Sequence, residues 1–178
     1  MKTEVEGVTI ECVRGDIASQ SGIDTVVNAA NAQLKTGGGV AGAIHRAAGP
    51  GLEEECQPLA PIKPGQAVIT GGHNLPNNHV IHCLGPVYGQ DKPEAQILSN
   101  CYRNALNLAD ENELESVAFP AISTGVFGYP VREAAEVALN TVMEEAPNLQ
   151  HVHVIRFVLY GQKDLDVHED VLSELTGE

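Results

Sequence analysis

Gly37-Gly38-Gly39-Val40-Ala41 and Ser123-Thr124-Gly125-Val126-Phe127 are the two segments of this sequence whose residue types suit a phosphate. Adjacent glycines reach positive φ without a Cβ penalty and let the main chain approach a ligand closely. Behind the first segment runs Val40–Ala48, which is helix-compatible and stops at Gly49-Pro50. A helix starting there aims unpaired N–H groups and the positive end of its dipole forward. The second segment adds hydroxyls to the same logic, and Pro130 suits the first turn of a following helix. Either run alone is also an ordinary turn. Two of them at one sheet edge would clasp a diphosphate.

Other glycine and serine motifs do not fit. No Lys-Ser/Thr follows the glycines, so this is not a P-loop. Gly37, Gly39 and Gly42 match G-x-G-x-x-G formally, but Asn31–Thr36 separates them from the preceding strand, and no acidic residue ends a second strand where ribose recognition needs it. Ser123 is not in a G-x-S-x-G elbow, which argues against a triad hydrolase.

Four further groups carry polar chemistry. Asp16 follows Gly15 at a strand end; it is either a turn carboxylate, which its spacing favours, or an acceptor for an exocyclic amine such as that of adenine. Asn28 and Asn31 stand at the carboxyl end of a strand, where asparagine needs partners. Asn28 is read as structural and Asn31 as ligand-facing. His151 and His153 are expected to share a strand face, and His79 and His82 are near in sequence, but neither pair has a third ligand at a metal-binding spacing, so no metal is expected. His45 is read as a satisfied helix residue. Cys12, Cys56, Cys83 and Cys101 form no CxxC pair and read as buried free thiols.

These groups need a scaffold. Val8–Val13, Thr25–Ala30, Gln66–Thr70, His79–Leu84, Ser116–Ile122 and Val152–Tyr160 read as strands. Between them lie helical patterns at Val40–Ala48 and Glu94–Asn112, and one after Pro130 with Ala135, Ala138, Leu139, Val142 and Ala146 on one face; Leu165–Leu175 closes the chain as a helix. Such alternation predicts an α/β fold with helices on both faces of a largely parallel sheet. Ligands then sit beyond the carboxyl ends of the strands, where Gly15–Ile17, Asn28–Ala41 and Ser123–Tyr129 fall.

The chain has 178 residues, enough for one domain, here residues 1–178. Its formal net charge of -14 and its aromatic content of 4% argue against nucleic acid, which wants basic patches and stacking platforms. A phosphate site in so acidic a protein must be locally positive, and main-chain N–H groups supply that without lysines. No apolar run is long enough for a membrane span, and MKTEVEGVTI does not read as a signal peptide. A cytoplasmic monomer is expected.

Val26–Asn31 (VVNAAN), Gly37–Gly49 (GGGVAGAIHRAAG) and Ala118–Pro130 (AFPAISTGVFGYP), preceded by Gly15-Asp16-Ile17, together resemble the macrodomain family over nearly the whole chain. Val80–Tyr88 (VIHCLGPVY) is similar to the bacterial O-acetyl-ADP-ribose deacetylase and MacroD-type branch. The resemblance implies a three-layer α/β/α sandwich around a mixed sheet, and ADP-ribose or ADP-ribosylated protein as partner, with no cofactor. It implies that Asp16 and the Ile17 N–H read adenine, that Tyr160 stacks on it, and that Asn31 holds the distal ribose and positions the catalytic water. Gly37, Gly38, Gly39, Val40 and Ala41 would wrap the phosphates and distal ribose from one side, with Ser123, Thr124, Gly125, Val126 and Phe127 around the diphosphate from the other.

The same resemblance implies a hydrolase that removes mono-ADP-ribose from acidic side chains or acetate from O-acetyl-ADP-ribose. Two departures bear on that. Ala41 stands where the branch usually has Asp, and Phe127 where some relatives carry Tyr. Val40-Ala41-Gly42 looks instead like viral macrodomains, which include active hydrolases. The alternative is a non-catalytic ADP-ribose reader.

Overall fold

The computed structural model describes residues 1–178. Strands β1 (Lys2–Val5), β2 (Val8–Arg14), β3 (Thr25–Ala29), β4 (Ala67–Gly71), β5 (His79–Cys83), β6 (Ser116–Phe119) and β7 (Val154–Leu159) form one sheet in the order β1-β2-β7-β6-β3-β5-β4. The five inner strands run parallel, and the two edge strands, β1 and β4, run antiparallel to their neighbours. The carboxyl ends of β2, β7, β6, β3 and β5 therefore share one edge of the sheet.

Five α-helices cover the sheet: α1 (Gly39–Ala48), α2 (Pro50–Cys56), α3 (Glu94–Glu111), α4 (Val131–Glu145) and α5 (Gln162–Thr176). Alternation within each inner strand sorts side chains between two cores. Val27, Ile81, Phe119 and Phe157 join the larger cluster with α3, α4 and α5. Their neighbours Val26, Val80, Ala118 and Val158 join the smaller one with Ile44 of α1 and Leu52 of α2. The result is the three-layer sandwich with a mixed, largely parallel sheet.

Three local expectations are corrected. Gly49-Pro50 ends α1, as read, but Pro50 also opens α2 at its first position, where its missing N–H costs nothing. The strand at the N-terminus, β1, was not expected; it is a four-residue edge strand whose side chains alternate between exposed and half-buried, joined to β2 through Glu6 and Gly7 at φ 51 and 81. That pair of positive φ values matches the twist a two-residue hairpin needs. The strand expected at Val152–Tyr160 begins only at Val154, so His151 and His153 lie in the loop before it and share no strand face. Asp110 of α3 gathers that loop by accepting from the N–H groups of Gln150, His151 and Val152 at 3.1, 2.8 and 3.2 Å.

Candidate functional site

The first glycine segment enters α1 without a side-chain cap. Gly38 is the N-cap residue, no acidic side chain sits in the first turn, and the first intrahelical bond runs from the Gly42 N–H to the Gly38 carbonyl at 3.2 Å. The N–H groups of Gly39, Val40 and Ala41 therefore have no partner within the chain. Gly42 lets the incoming strand lie directly on the helix, since a Cβ there would stand 2.4 Å from the Gly37 carbonyl oxygen. Glu53 of α2 anchors the same segment by accepting from the Thr36 N–H at 3.0 Å.

Facing it is the loop after β6. The Gly128 N–H donates to Gly125 and the Tyr129 N–H to Ser123, which folds the loop back and leaves the N–H groups of Gly125, Val126 and Phe127 unpaired. Ser123 holds φ 68, a left-handed conformation rare for a residue with a side chain, and its hydroxyl is buried with no partner. Backbone strain and an orphaned hydroxyl at one residue mark a place shaped for something other than folding.

The two segments bound a cleft of about 350 Å³ at the carboxyl edge of the sheet. Asn31, Gly37, Gly38, Gly39, Val40, Ala41, Ser123, Gly125, Val126 and Phe127 all line it. Thr124 does not; its hydroxyl donates to the Ala121 carbonyl at 2.8 Å and braces the loop. Asp16, Ile17 and Tyr160 also lie outside the cleft proper, at the ends of the neighbouring strands β2 and β7. Tyr160 is 87% exposed, as a platform for a flat ring would be. Asp16 is a turn carboxylate: Oδ1 accepts from the Ala18 N–H at 2.9 Å, while Oδ2 and the Ile17 N–H have no partner in the chain.

The two asparagines occupy different surroundings. Asn28 is buried, and its amide meets His82 Nδ1 at 3.1 Å. Asn31 lines the cleft, yet its amide also closes the loop, donating to the Lys35 carbonyl at 2.7 Å and accepting from the Lys35 N–H at 2.9 Å. An amide has two N–H donors and two acceptor lone pairs, so one of each remains for a ligand.

Outside the cleft lining the fold buries a polar layer. His82 Nε2 is 2.9 Å from Thr70 Oγ1 and 3.7 Å from Cys56 Sγ, and the His45 ring stands 6.4 Å from that of His82. His45 was expected to be satisfied, but both of its ring nitrogens are buried without a partner. Burial lowers the pKa of both histidines, that of His82 to about 3. No three His, Cys, Asp or Glu side chains are arranged to hold a metal ion.

Sequence reasoning missed Ala29, Ala30, Gly85, Ala121 and Ile122 in the cleft lining. Gly85 is the informative one. A Cβ there would meet Ser123 Oγ at 2.1 Å and Ile122 Cγ2 at 2.6 Å. Its signal was a glycine just past the end of a buried strand, in the Leu84-Gly85-Pro86 run.

A profile of the macro domain family matches residues 27–138, more than half of the chain and both glycine segments. This chain is a macrodomain. An O-acetyl-ADP-ribose deacetylase of Citrobacter rodentium is 45% identical to it over 170 residues, covering 93% of this chain and 96% of that one. A macrodomain of Oceanobacillus iheyensis solved with ADP superposes with a TM-score of 0.95 at 40% identity, over 99% of this chain and 96% of that one. A Trypanosoma brucei macrodomain in complex with ADP-ribose gives 0.86 at 35% identity, over 92% of this chain and 68% of that one. No helix of this macrodomain is long and apolar enough to cross a membrane.

Proposed function

We propose that this macrodomain binds ADP-ribose and hydrolyses its esters, releasing acetate from O-acetyl-ADP-ribose and ADP-ribose from modified Asp and Glu side chains. The observation that carries the reading is the pair of unpaired N–H sets, Gly39–Ala41 and Gly125–Phe127, on opposite walls of one cleft. Hydrogen bonds from peptide N–H groups to a charged oxygen are worth about 1.5–3 kcal/mol each. They neutralise a pyrophosphate in a protein of net charge -14 without a basic side chain. Relatives named for deacetylation, and neighbours solved with ADP and ADP-ribose, support the same ligand.

The chemistry follows from the lining. It includes no carboxylate, imidazole or thiol, so the chain itself offers no general base there. A substrate phosphate oxygen then takes the proton of the attacking water, which Asn31 orients. Water adds to the acyl carbon to release acetate, or to the anomeric carbon to release a carboxylate side chain. A carboxylate leaves without a protonating side chain, because its conjugate acid has a pKa of about 4. In the acyl route the departing ribose oxygen is too basic to leave as an alkoxide, and the phosphate oxygen returns to it the proton taken from the water.

Calorimetry with ADP-ribose, alongside product analysis on O-acetyl-ADP-ribose and on a target mono-ADP-ribosylated at Glu, tests the reading. Absence of ADP-ribose binding at millimolar ligand sinks it. Binding without release of either product establishes the reader alternative, which the missing base favours.

Ala41→Asp is informative about rate. Ala41 lies in the first turn of α1, where the helix dipole stabilises a carboxylate. A positioned base contributes about 10²–10⁴-fold, so kcat is expected to rise towards the lower figure. KM rises as well, from repulsion of the pyrophosphate. An unchanged kcat means that proton removal by the chain is not what limits turnover.

A further inference from the structure

The turn that presents Asp16 is held by a chain of side chains that reaches through Gln20 to Arg156 of β7. Arg156 of β7 donates from Nε to Glu11 Oε1 at 2.7 Å, its register partner on β2. From Nη1 it donates to Gln20 Oε1 at 3.0 Å. Gln20 Nε2 in turn donates to the Asp16 carbonyl at 2.8 Å. The order of these bonds is forced. A guanidinium only donates and a carbonyl only accepts, so the Gln20 amide fits between them in one orientation. Gln20 and Glu11 are both buried, and Asn77 fixes the Gln20 main chain by donating to its carbonyl at 2.8 Å.

The chain ends where the turn is read. Asp16 is exposed and its Oδ1 accepts from Ala18, which leaves Oδ2 free, and the N–H of the next residue, Ile17, is free as well. A free acceptor and a free donor on successive residues complement the amine and the ring nitrogen of adenine. Hypoxanthine offers the reverse pattern, an oxygen and an N–H. Discrimination of that kind depends on where one carboxylate oxygen and one main-chain N–H are held, and surface turns do not hold themselves to that tolerance.

We propose that Gln20 and Arg156 are positioning residues for base recognition: with Glu11 they lock the Asp16–Ile17 turn in the geometry that selects adenine. The inference rests on the ADP-ribose reading above. It assigns a role to an ion pair that touches neither ligand nor cleft.

The test compares binding of ADP-ribose with that of inosine diphosphate ribose, which differs only in the base, by calorimetry on variants whose melting temperature shows them folded. Wild type is expected to prefer ADP-ribose. Gln20→Leu removes both bonds at nearly constant volume and is expected to weaken ADP-ribose by about tenfold, the worth of one to two hydrogen bonds, while inosine diphosphate ribose changes less than about twofold. Gln20→Glu keeps the bond to Arg156 but cannot donate to the Asp16 carbonyl, so it behaves like the leucine variant. Arg156→Met loses the preference too, whereas Arg156→Lys, which retains a donor, keeps most of it. Arg156 is half-buried, so these last two variants read the effect even if replacement at Gln20 prevents folding.

Equal weakening of both nucleotides overturns the proposal, since general damage to the fold acts on both. So does a wild-type base preference in Gln20→Glu. Failure of the wild type to bind ADP-ribose sinks the functional reading itself. A wild type that binds both nucleotides equally sinks the assignment of the base to Asp16, and this inference with it.

Discussion

Gly42→Ala is expected to weaken ADP-ribose binding by about 10–100-fold, the effect of drawing one or two charge-assisted N–H bonds out of reach, while leaving the fold intact. In an ordinary helix the substitution would stabilise by about 1 kcal/mol. Here the new methyl would lie 2.4 Å from the Gly37 carbonyl oxygen and 3.4 Å from its carbon. Those are main-chain atoms, and they yield only if the Gly37–Gly38 segment is pushed away from α1. Arg46 Nη1, at 2.9 Å, can swing away, so the conflict is with the loop alone. The gain in helix propensity and the lost contact largely offset each other in stability. The displacement acts instead on Gly39, Val40 and Ala41, whose N–H groups form one wall of the cleft. Calorimetry and a thermal melt on the same sample separate the two effects. An unchanged Kd would show that this wall does not hold the ligand.

Acid should destabilise the protein steeply, and His82 is a principal cause. Its ring is fully buried, with Asn28 Nδ2 against Nδ1 and Thr70 Oγ1 against Nε2. With the asparagine amide donating, the neutral ring accepts at Nδ1 and donates at Nε2, and a second ring proton would lose the Asn28 bond. Burial, reinforced by the nearby His45, lowers the pKa from 6.5 to about 3. As pH falls below 6.5, the unfolded chain takes up a proton that the folded one refuses. Stability that is complete above 6.5 is therefore lost progressively down to about 3. The slope is about 1.4 kcal/mol per pH unit for this one group. His45 and His168, both lowered chiefly by burial, push the same way.

Urea unfolding at intervals from pH 7.5 to 5, for wild type and His82→Gln, measures the contribution. The glutamine can accept from Asn28 and donate to Thr70. It should cost about 1–2 kcal/mol at pH 7.5 through imperfect packing, and its stability should then fall less steeply than that of wild type by about one proton's worth. Parallel slopes would mean that His82 is protonated in the folded state. Neither His82 nor His45 lines the cleft, so ADP-ribose affinity is expected to decline only where the fold itself begins to open.

Local pattern in the sequence makes much of this protein legible. Alternating strand and helix signals specified an α/β sandwich, and the apolar runs read at Thr25–Ala30 and Val152–Tyr160 contain the inner strands Thr25–Ala29 and Val154–Leu159. Glycines followed by a helix start located both cleft walls, since the requirement for positive φ or close approach acts on adjacent residues. Elements with weak local signals escaped. β1 is a short edge strand that buries little, and α2 begins at the very Gly-Pro pair that ends α1.

What only the tertiary structure decided is which distant residues meet. Strand order set β7 between β2 and β6, and so brought Arg156 against Glu11 and Gln20, far away in sequence. It placed Gly85 under Ser123, and joined Asn28, His82 and Thr70 across β3, β5 and β4 into one buried layer with His45, whose ring nitrogens are left unpaired. Periodicity and glycine placement report on forces between near neighbours in the chain. Strand order is a compromise among packing energies over the whole sheet, and no short stretch of sequence carries that sum.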